Sequence, residues 1–522
     1  MKKRLILLFF FLLITSPSFG KIPWDRYDFF SNAGGLNDTA SPIVIGDNEA
    51  SDLQNVVFTA SGSFETRDGT DNINTSTIGA STSCTGLTFY KTVAGTRYLV
   101  EVHSDDKIRK MDYAVGGAPD GTWDDITGAL SFAVGQDNLA SFTVGEDTLI
   151  IEDGLGTTAP YKWTGTGNAS ALGGSPPNAK VVAYHKRMAF AAGNSSALST
   201  LYFSDIGNIE NCTTGLSGNV NIETNDGSVI RALVPGFDAL YIFKDSSIWR
   251  LSGDDKDTFV LQRMVSDLGT LSPKTVALIG NEIFFQSDQG DIYIYDGSIG
   301  VRLISSKVED TIESANFDRF QYANAVVFDS DFYIAYSTAG SSTHDRLLVF
   351  DTFNLAWTKF KGINANALAV ADDGTGKDML IFGDYTGFVY NYPEGTSDNG
   401  TAIDAYYVTK QYSLPESKPL KDWKLLKVFA DQKGTYNLTV ETRTDFETTG
   451  KENSVSLAGS ASALYGTAVY GTARYGGQDL VIGRIEPNEE GNFFQIKYSN
   501  STVDQPFEIK GFQIFVDSQD RI

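Results

Sequence analysis

The stretch NEIFFQSDQGDIYIYDG (Asn281–Gly297) decides the fold, because it reads as two short apolar strands joined by a polar turn that contains glycine. The same pattern recurs along the chain: an apolar strand, a turn of Gly, Asp or Ser, and a second strand that often ends in an aromatic residue. Further copies begin at Arg97, Asp147, Arg187, Ala239, Asp331 and Asp378. A hairpin of this size cannot bury its apolar faces alone, so the copies must pack on one another.

Successive copies start about 40 to 52 residues apart, which is the length of one four-stranded propeller blade. Radial stacking of blades buries the apolar faces and leaves only short, protected edges. Segments such as Ala179–His185 and Val229–Val234 supply the remaining strands. We therefore predict an all-β protein in which residues 75–395 form a β-propeller of about seven blades. A β-sandwich array with accidental periodicity is the alternative.

The sequence changes character after a linker-like stretch, Pro393–Thr401. Trp423–Asp445 alternates as a strand, a turn and a strand, and Phe493–Asn500 and Phe507–Asp517 form a second pair of strands. Residues 401–522 are therefore predicted to form a small antiparallel β-sandwich.

Three tyrosines in this C-terminal region, Tyr465, Tyr470 and Tyr475, lie five residues apart. This spacing fits neither a helix nor a strand, so the segment is interpreted as a turn-rich loop. Tyrosine is favoured at protein interfaces, and the hypothesis is that these side chains contact a neighbouring subunit. A loop that folds back on its own domain is the alternative.

The net charge of −24 argues against a protein that grips phosphates through clustered Lys and Arg. Such acidity is typical of a soluble surface, and it would also repel a passing polyanion. The two cysteines, Cys84 and Cys212, lack the spacing of a metal motif. They form either one disulfide in an exported protein or two buried thiols.

Residues 1–20 have a basic start, a short apolar run and a small-residue end, which is the pattern of a secretory signal. The apolar run is too short to span a bilayer, and no later segment is long and apolar enough to do so. The competing interpretation places the true start of the protein downstream of this segment.

The sequence predicts no catalytic, cofactor or metal site. The histidines His103, His185 and His344 are expected in separate blades and lack metal-ligand spacing. Nucleophile-elbow, phosphate-loop and dinucleotide fingerprints are absent from the sequence. Converging carboxylates of a propeller glycosidase remain an alternative, although the repeated Asp-box turns of sialidases are missing. The acidic turn Ala371–Asp378 could hold calcium, but such runs are more typical of plain turns.

Residues 21–74 read as an extended N-terminal arm that ends in a hairpin. Gly34 and Gly35 allow a turn that side chains would forbid, and we expect the arm to lie along another surface. Its ordered motif comprises Gly34, Gly35, Leu36, Asn37, Asn48, Glu49, Gln54, Asn55 and Arg67, which are the predicted interaction residues together with the three tyrosines.

This motif, from Gly-Gly-Leu-Asn to Arg67-Asp68-Gly69, resembles the N-terminal region of the tail-nozzle (tail tubular B-like) proteins of short-tailed bacteriophages. The usual Arg-Pro-Gly ending has Asp68 in place of proline. Leu201–Cys212, Asn225–Gly253, Arg263–Gly297 and Phe507–Asp517 also resemble that family, so the similarity covers most of the chain after residue 30.

The resemblance implies a non-enzymatic virion component that forms a homo-oligomeric ring, contacts portal, adaptor and other tail proteins, and lets DNA pass without sequence-specific binding. It also implies a location in the phage tail. The alternatives from the sequence are an exported bacterial propeller that binds carbohydrate or a surface partner, secreted or periplasmic through residues 1–20, and an exported glycoside hydrolase.

Overall fold

The computed structural model of the protein describes residues 24–79, 82–114, 119–132, 135–223, 226–236, 238–298, 300–415, 420–458 and 480–517. The signal-like segment 1–20 and the tyrosines Tyr465, Tyr470 and Tyr475 lie outside these residues. The described part of the chain is all-β. Its helical content is limited to two short 3-10 turns and one α-helix, which are Ser305–Lys307, Phe317–Tyr322 and α1 (Glu309–Glu313).

The N-terminal arm contributes five strands to three different sheets. They are β1 (Asp25–Phe29), β2 (Ala50–Gln54), β3 (Val56–Phe58), β4 (Phe64–Thr66) and β5 (Asp71–Asn72). The strands are short because turns and glycines interrupt the apolar pattern of this region.

Within the described residues, seven sheets have four antiparallel strands each, and we number them 1 to 7 in chain order. Sheets 1, 2 and 3 contain β6 (Cys84–Lys91), β7 (Arg97–His103), β8 (Lys107–Asp112), β9 (Asp124–Asp125), β10 (Ser141–Gly145), β11 (Thr148–Glu152), β12 (Tyr161–Trp163), β13 (Ser170–Ala171), β14 (Val181–His185), β15 (Met188–Ala192), β16 (Thr200–Phe203) and β17 (Gly218–Asn221).

Sheets 4, 5 and 6 contain β18 (Ile230–Pro235), β19 (Ala239–Lys244), β20 (Ser247–Ser252), β21 (Val260–Ser266), β22 (Ala277–Ile279), β23 (Glu282–Gln286), β24 (Ile292–Tyr295), β25 (Val301–Leu303), β26 (Asn324–Phe328), β27 (Asp331–Tyr336), β28 (Arg346–Asp351) and β29 (Ala356–Lys361). Sheet 7 contains β30 (Ala367–Asp372), β31 (Asp378–Gly383) and β32 (Val389–Tyr392), and β5 of the N-terminal arm pairs with β32 as its fourth strand.

The seven recurring hairpins of the sequence are the second and third strands of these sheets. The stretch Asn281–Gly297, for example, contains β23 and β24, which pair with Phe284 opposite Ile294. Second strands are apolar on both faces because a sheet on either side covers them; all six residues of β19 are buried. Fourth strands lie at the periphery, and the two residues of β9 are exposed aspartates.

The seven sheets close into a ring. First strands contact one another in order, β6 with β10, β10 with β14, β14 with β18, β22 with β26, β26 with β30, and β30 again with β6. Sheets 4 and 5 share an apolar cluster that includes Phe243 and Phe285. Radial packing of four-stranded sheets around a closed ring of inner strands is the β-propeller architecture.

Eight more strands follow sheet 7. They are β33 (Ala405–Thr409), β34 (Lys421–Asp431), β35 (Asn437–Thr444), β36 (Lys451–Ser456), β37 (Leu480–Ile485), β38 (Glu489–Gly491), β39 (Phe494–Asn500) and β40 (Glu508–Asp517). With strands of the arm they form a five-stranded sheet in the order β2-β33-β39-β35-β36. They also form a seven-stranded sheet in the order β3-β4-β40-β34-β37, in which β1 also pairs with β40 and β38 with β34.

One apolar core joins these two larger sheets to sheets 5 and 6. It contains Tyr407 and Trp423 from the larger sheets together with Phe284 and Trp357 from sheets 5 and 6. The indole N–H of Trp357 donates to the carbonyl of Ile304 at 2.8 Å, so the large side chain is buried without an unsatisfied donor. The larger sheets are therefore packed against one side of the ring.

The sequence predicts that the N-terminal arm lies along another surface, and the structure places it on the chain's own sheets. Residues Asp25–Phe29 pair along β40, and β2 pairs with β33. The arm also contributes buried apolar side chains. Phe29, Leu36, Leu53, Val56 and Phe64 belong to the shared core, which gives the arm the hydrophobic free energy that a detached strap would lack.

Candidate functional site

Arg67 anchors the end of the arm hairpin. It follows β4 and its side chain is fully buried. Its two terminal nitrogens donate to both oxygens of Asp398, at 2.8 and 2.6 Å, and its Nε donates to Oδ1 of Asn55 at 3.0 Å. The carbonyls of Asp68 and Lys361 accept the remaining two N–H groups. All five donors of the guanidinium are therefore satisfied, which is the condition for burying this charge.

Asn55 holds this cluster in place. Its backbone has φ of 55°, a left-handed conformation that Asn tolerates better than most residues. Its Oδ1 accepts from Arg67 and from the amide of Lys361, and its Nδ2 donates to the carbonyl of Asp404 at 3.0 Å. The neighbouring Gln54 donates to the same carbonyl and to the carboxylate of Asp404. We call Gln54, Asn55, Arg67, Asp398 and Asp404 the Arg67 cluster.

The glycine pair makes a close contact with sheet 6. Gly35 has φ of 78°, and a Cβ at this position would lie 2.6 Å from the amide nitrogen of Trp357. Only glycine fits this approach. The next residue, Leu36, is fully buried and donates its amide to the carbonyl of Trp357 at 2.9 Å. The amide of Gly34 donates to the carbonyl of Asn48 at 2.8 Å.

Glu49 is the centre of a second cluster. Its carboxylate accepts from Nδ2 of Asn37 at 2.9 Å and from the amide of Gly46 at 2.7 Å, and it pairs with Nζ of Lys307 at 2.8 Å. Burial alone would raise the pKa of Glu49, but Lys307 and the two amide donors outweigh it and hold the pKa below its ordinary value. The part of the N-terminal arm that carries Glu49 is thereby bound to the segment that joins sheets 5 and 6.

Glu49→Gln is expected to destabilise the protein by about 1.5–3 kcal/mol at neutral pH, because the amide cannot satisfy three donors at once. The pKa of Glu49 is lower in the folded than in the unfolded chain. Its stabilisation is therefore present above the unfolded pKa and lost as the pH falls through the folded one. Urea titrations from neutral to acid pH should show the variant and the wild type converging. Glu313→Gln, at an exposed position, is the control; a constant difference across the pH range would contradict the role of Glu49.

The structure brings the nine described interaction residues into two groups within the arm. Gln54, Asn55 and Arg67 lie in the Arg67 cluster, and the remaining six lie around Gly35 and Glu49: Gly34, Gly35, Leu36, Asn37, Asn48 and Glu49. The contacts described above for these residues are to the chain itself. Their contact with a partner protein stays a prediction, as does that of the tyrosines Tyr465, Tyr470 and Tyr475.

Asp398 and Asp404 are members of the cluster that the sequence did not indicate. Both lie in the segment between sheet 7 and β33, which reads as a polar linker. A buried arginine requires a carboxylate, but the sequence gives no sign of which aspartate provides it across more than 300 residues.

A cleft of about 440 Å³ lies beside the Arg67 cluster, between sheets 6 and 7 and residues 398–404. Its charged groups include Lys361, Asp384, Asp398 and Asp404. Asp398 is committed to Arg67, and Asp384 accepts from the amides of Thr386 and Phe388. Asp404 accepts from Gln54, so each of these three carboxylates accepts a hydrogen bond from the chain itself.

Cys84, Glu101 and His103 form a fully buried group of potential metal ligands at the edge of sheet 1. Both ring nitrogens of His103 already have partners, Oε2 of Glu101 at 3.0 Å and Oγ1 of Thr82 at 3.1 Å. Burial raises the pKa of the Cys84 thiol well above its ordinary value, which disfavours the thiolate that a metal requires. The contacts favour a hydrogen-bonded network over a metal centre.

The other cysteine and the other two histidines of the chain lie outside this group of potential ligands. Cys84 and Cys212 are both free thiols. His185 ends the first strand of sheet 3, and His344 lies in the turn between β27 and β28 of sheet 6. Burial lowers the pKa of His344 to about 4, and its Nδ1 and Nε2 contact Ser337 and the carbonyl of Tyr322. These contacts hold the ring in place and leave it no free nitrogen for chemistry.

In the part of the chain that the structure describes, no helix has the length and apolar character needed to cross a membrane.

No family model and no curated protein matches this chain. Among solved structures, the N-terminal domain of Nup159 is similar over 65% of this chain and 97% of its own, with 11% identity and a TM-score of 0.40. YCF48 bound to a D1 peptide covers 61% and 94%, with 12% identity and a TM-score of 0.39. BamB from Moraxella catarrhalis covers 65% and 92%, with 13% identity and a TM-score of 0.35. At these scores the similarities assign neither a family nor a function.

Proposed function

We propose that this protein is a non-enzymatic structural subunit of a phage or prophage tail, a nozzle or hub-like ring component that guides DNA exit and contacts neighbouring tail proteins. In this proposal the seven four-stranded sheets are the blades of a seven-bladed propeller within residues 75–395. The two larger sheets form a sandwich of residues 401–522 that the arm, residues 21–74, completes. The location is the virion tail.

The observation that carries the proposal is the position of the motif residues that resemble tail-nozzle proteins. Gly35 fits against Trp357 of sheet 6, and Arg67 joins the arm to Asp398 and to the carbonyl of Lys361. The motif therefore specifies how the propeller is fixed to the sandwich, which is a scaffold role. A subunit whose two parts share one core suits a ring that must keep its shape as DNA passes.

The net charge supports the same role. Duplex DNA carries one phosphate charge about every 1.7 Å of axis and binds surfaces where Lys and Arg accumulate. A chain with 65 acidic and 41 basic residues has the opposite balance, so it would let DNA slide without retaining it.

Co-expression of residues 21–522 with the portal and adaptor proteins of the same genome tests the proposal. We expect negative-stain images to show a complex with rotational symmetry that contains this chain. The chain should not protect DNA from nuclease digestion. Portal–adaptor particles that form without this chain, although it is folded and in excess, would contradict a tail role.

Replacing Tyr465, Tyr470 and Tyr475 together with serine is expected to reduce ring formation without lowering the Tm, if these tyrosines lie between subunits.

The second candidate is an exported propeller that binds carbohydrate or a surface partner, and the signal-like residues 1–20 favour it. Its test is independent of the first. N-terminal sequencing of the protein from culture supernatant should then start near Lys21, and a chain that stays in the cytoplasm with Met1 intact would exclude this candidate.

A further inference from the structure

The cleft of about 440 Å³ beside the Arg67 cluster has the size of a small-molecule site, since such sites usually measure about 300–1,000 Å³. Its walls come from three parts of the chain. They are β31 and β32 of sheet 7, residues 361–364 at the end of β29, and residues 398–404 of the segment before β33. We call it the Arg67 cleft.

The backbone around the Arg67 cleft is held in place by contacts that need no ligand. Asp398 and Thr401 exchange two backbone hydrogen bonds of 2.8 Å, which closes a tight turn in one wall. The amide of Lys361 donates to Oδ1 of Asn55 at 2.8 Å, and its carbonyl accepts from Arg67 at 2.9 Å. A ligand that enters walls already fixed in this way binds at a lower entropic cost.

Several side chains that line the cleft have polar groups that the chain does not use. Asn364, Asn399 and Thr401 are exposed, and their side chains make no hydrogen bond to any described residue. The hydroxyl of Tyr390 also has no partner among the described residues, and the one donor to the carboxylate of Asp404 found there binds Oδ2 and leaves Oδ1 free. Two amides, two hydroxyls and a carboxylate oxygen therefore offer both donors and acceptors to a ligand.

Two aromatic rings lie in the wall that sheet 7 provides. Phe382 is buried and stacks on the half-buried Tyr390, with centroids 4.9 Å apart and ring planes 14° apart. Burial and the charge of Asp384 raise the pKa of Tyr390 to about 12, so its hydroxyl stays protonated at neutral pH and can donate as well as accept. The cleft thus combines a flat apolar surface with polar groups around it.

The charges of the cleft disfavour an anion. Asp398 is neutralised by Arg67. Of the remaining charged groups, Asp384 and Asp404 outnumber Lys361, whose ammonium lies 4.0 Å from the carboxylate of Asp404. The excess of one carboxylate repels a negatively charged ligand. Among the residues that the structure describes, the carboxylates of this cleft do not form a group of three potential metal ligands.

We propose that the Arg67 cleft binds a neutral saccharide, either a single sugar or the end of a glycan chain. Sugar hydroxyls donate and accept hydrogen bonds at once, which suits the side-chain amides of Asn364 and Asn399 and the free oxygen of Asp404. The apolar face of a pyranose ring can pack on the aromatic wall.

This site goes beyond the proposed tail role and does not depend on it. It gives the second candidate, an exported propeller that binds carbohydrate, a defined binding place. Sugar binding and export are measured separately, so either can fail without the other.

Saturation-transfer difference NMR of the full chain tests the proposal with the methyl glycosides of glucose, galactose, mannose, N-acetylglucosamine and N-acetylgalactosamine. We expect saturable binding of at least one of the five. The uronate that corresponds to the sugar that binds should bind more weakly, because its carboxylate enters a cleft with an excess of negative charge.

Two substitutions in the cleft remove one side-chain amide each. They are Asn364→Ala and Asn399→Gly, and the glycine keeps the left-handed backbone of Asn399, whose φ is 46°. Each should weaken binding by about two- to tenfold, the value of one hydrogen bond, and the double variant should weaken it by about tenfold or more. Neither should lower the Tm, because neither side chain has a hydrogen bond to a described residue.

Asn219→Ala is the matched control. Asn219 is an exposed asparagine of β17 in sheet 3, and its side chain also makes no hydrogen bond to a described residue. This variant should keep the wild-type affinity. Absence of saturable binding by all five glycosides, tighter binding of the uronate, or equal affinity in the wild type and the double variant would overturn the proposal.

Discussion

Arg67→Met is expected to destabilise the protein by about 3–5 kcal/mol, the cost of removing one partner of a buried ion pair. The substitution keeps much of the side-chain volume but removes five N–H donors. It leaves the largely buried carboxylate of Asp398 and Oδ1 of the buried Asn55 without their main partner. The loss therefore exceeds the value of any single contact.

Urea unfolding followed by tryptophan fluorescence measures this effect, because Trp357 and Trp423 belong to the core that the arm completes. The midpoint of the transition should fall, and Arg67→Lys should recover only part of it, since an ammonium cannot make the two parallel bonds to Asp398. Arg26→Met, which removes an exposed ion pair with Asp28, is the matched control and should change stability little. A loss in Arg67→Met no greater than in this control would show that the arm is not anchored through Arg67.

The repeated hairpins could be predicted from the sequence because their physics is local. The second strand of each sheet is covered on both faces, so strands such as β19 and β27 are continuous apolar runs between turn residues. Two of the fourth strands, β9 and β13, could not be predicted, because they have only two residues each and carry no apolar pattern. Their position is decided by the neighbouring strand and not by their own sequence.

The N-terminal arm is a part of the fold whose pairing could not be predicted from the sequence. Its turns were visible in the sequence, whereas its partners were not, since β33 and β40 begin more than 350 residues after β2 and β1. Pairing at such a distance depends on the whole fold being in place. For the same reason Arg67 was recognisable as part of a motif, but Asp398 was not recognisable as its partner.

Phe64→Ala is the second change with a large expected effect, a loss of about 3–5 kcal/mol. Phe64 lies on β4 of the seven-stranded sheet and is fully buried. Its ring is stacked on Tyr407 of the five-stranded sheet, with centroids 4.0 Å apart, and it also contacts Tyr498 at 5.7 Å. Truncation therefore opens a cavity between the two larger sheets and removes two aromatic contacts.

The matched control is Phe353→Ala, which shortens a phenylalanine that is 74% exposed in the turn between β28 and β29. Urea unfolding should separate the two variants clearly, and limited proteolysis should cut Phe64→Ala first within residues 24–74, because the loss weakens the pairing of β4 with β40. The result distinguishes two kinds of arm. A strap that only touches a neighbouring subunit would leave both variants as stable as the wild type in isolation. An arm that supplies strands and core residues to the two larger sheets makes Phe64 indispensable before any partner binds.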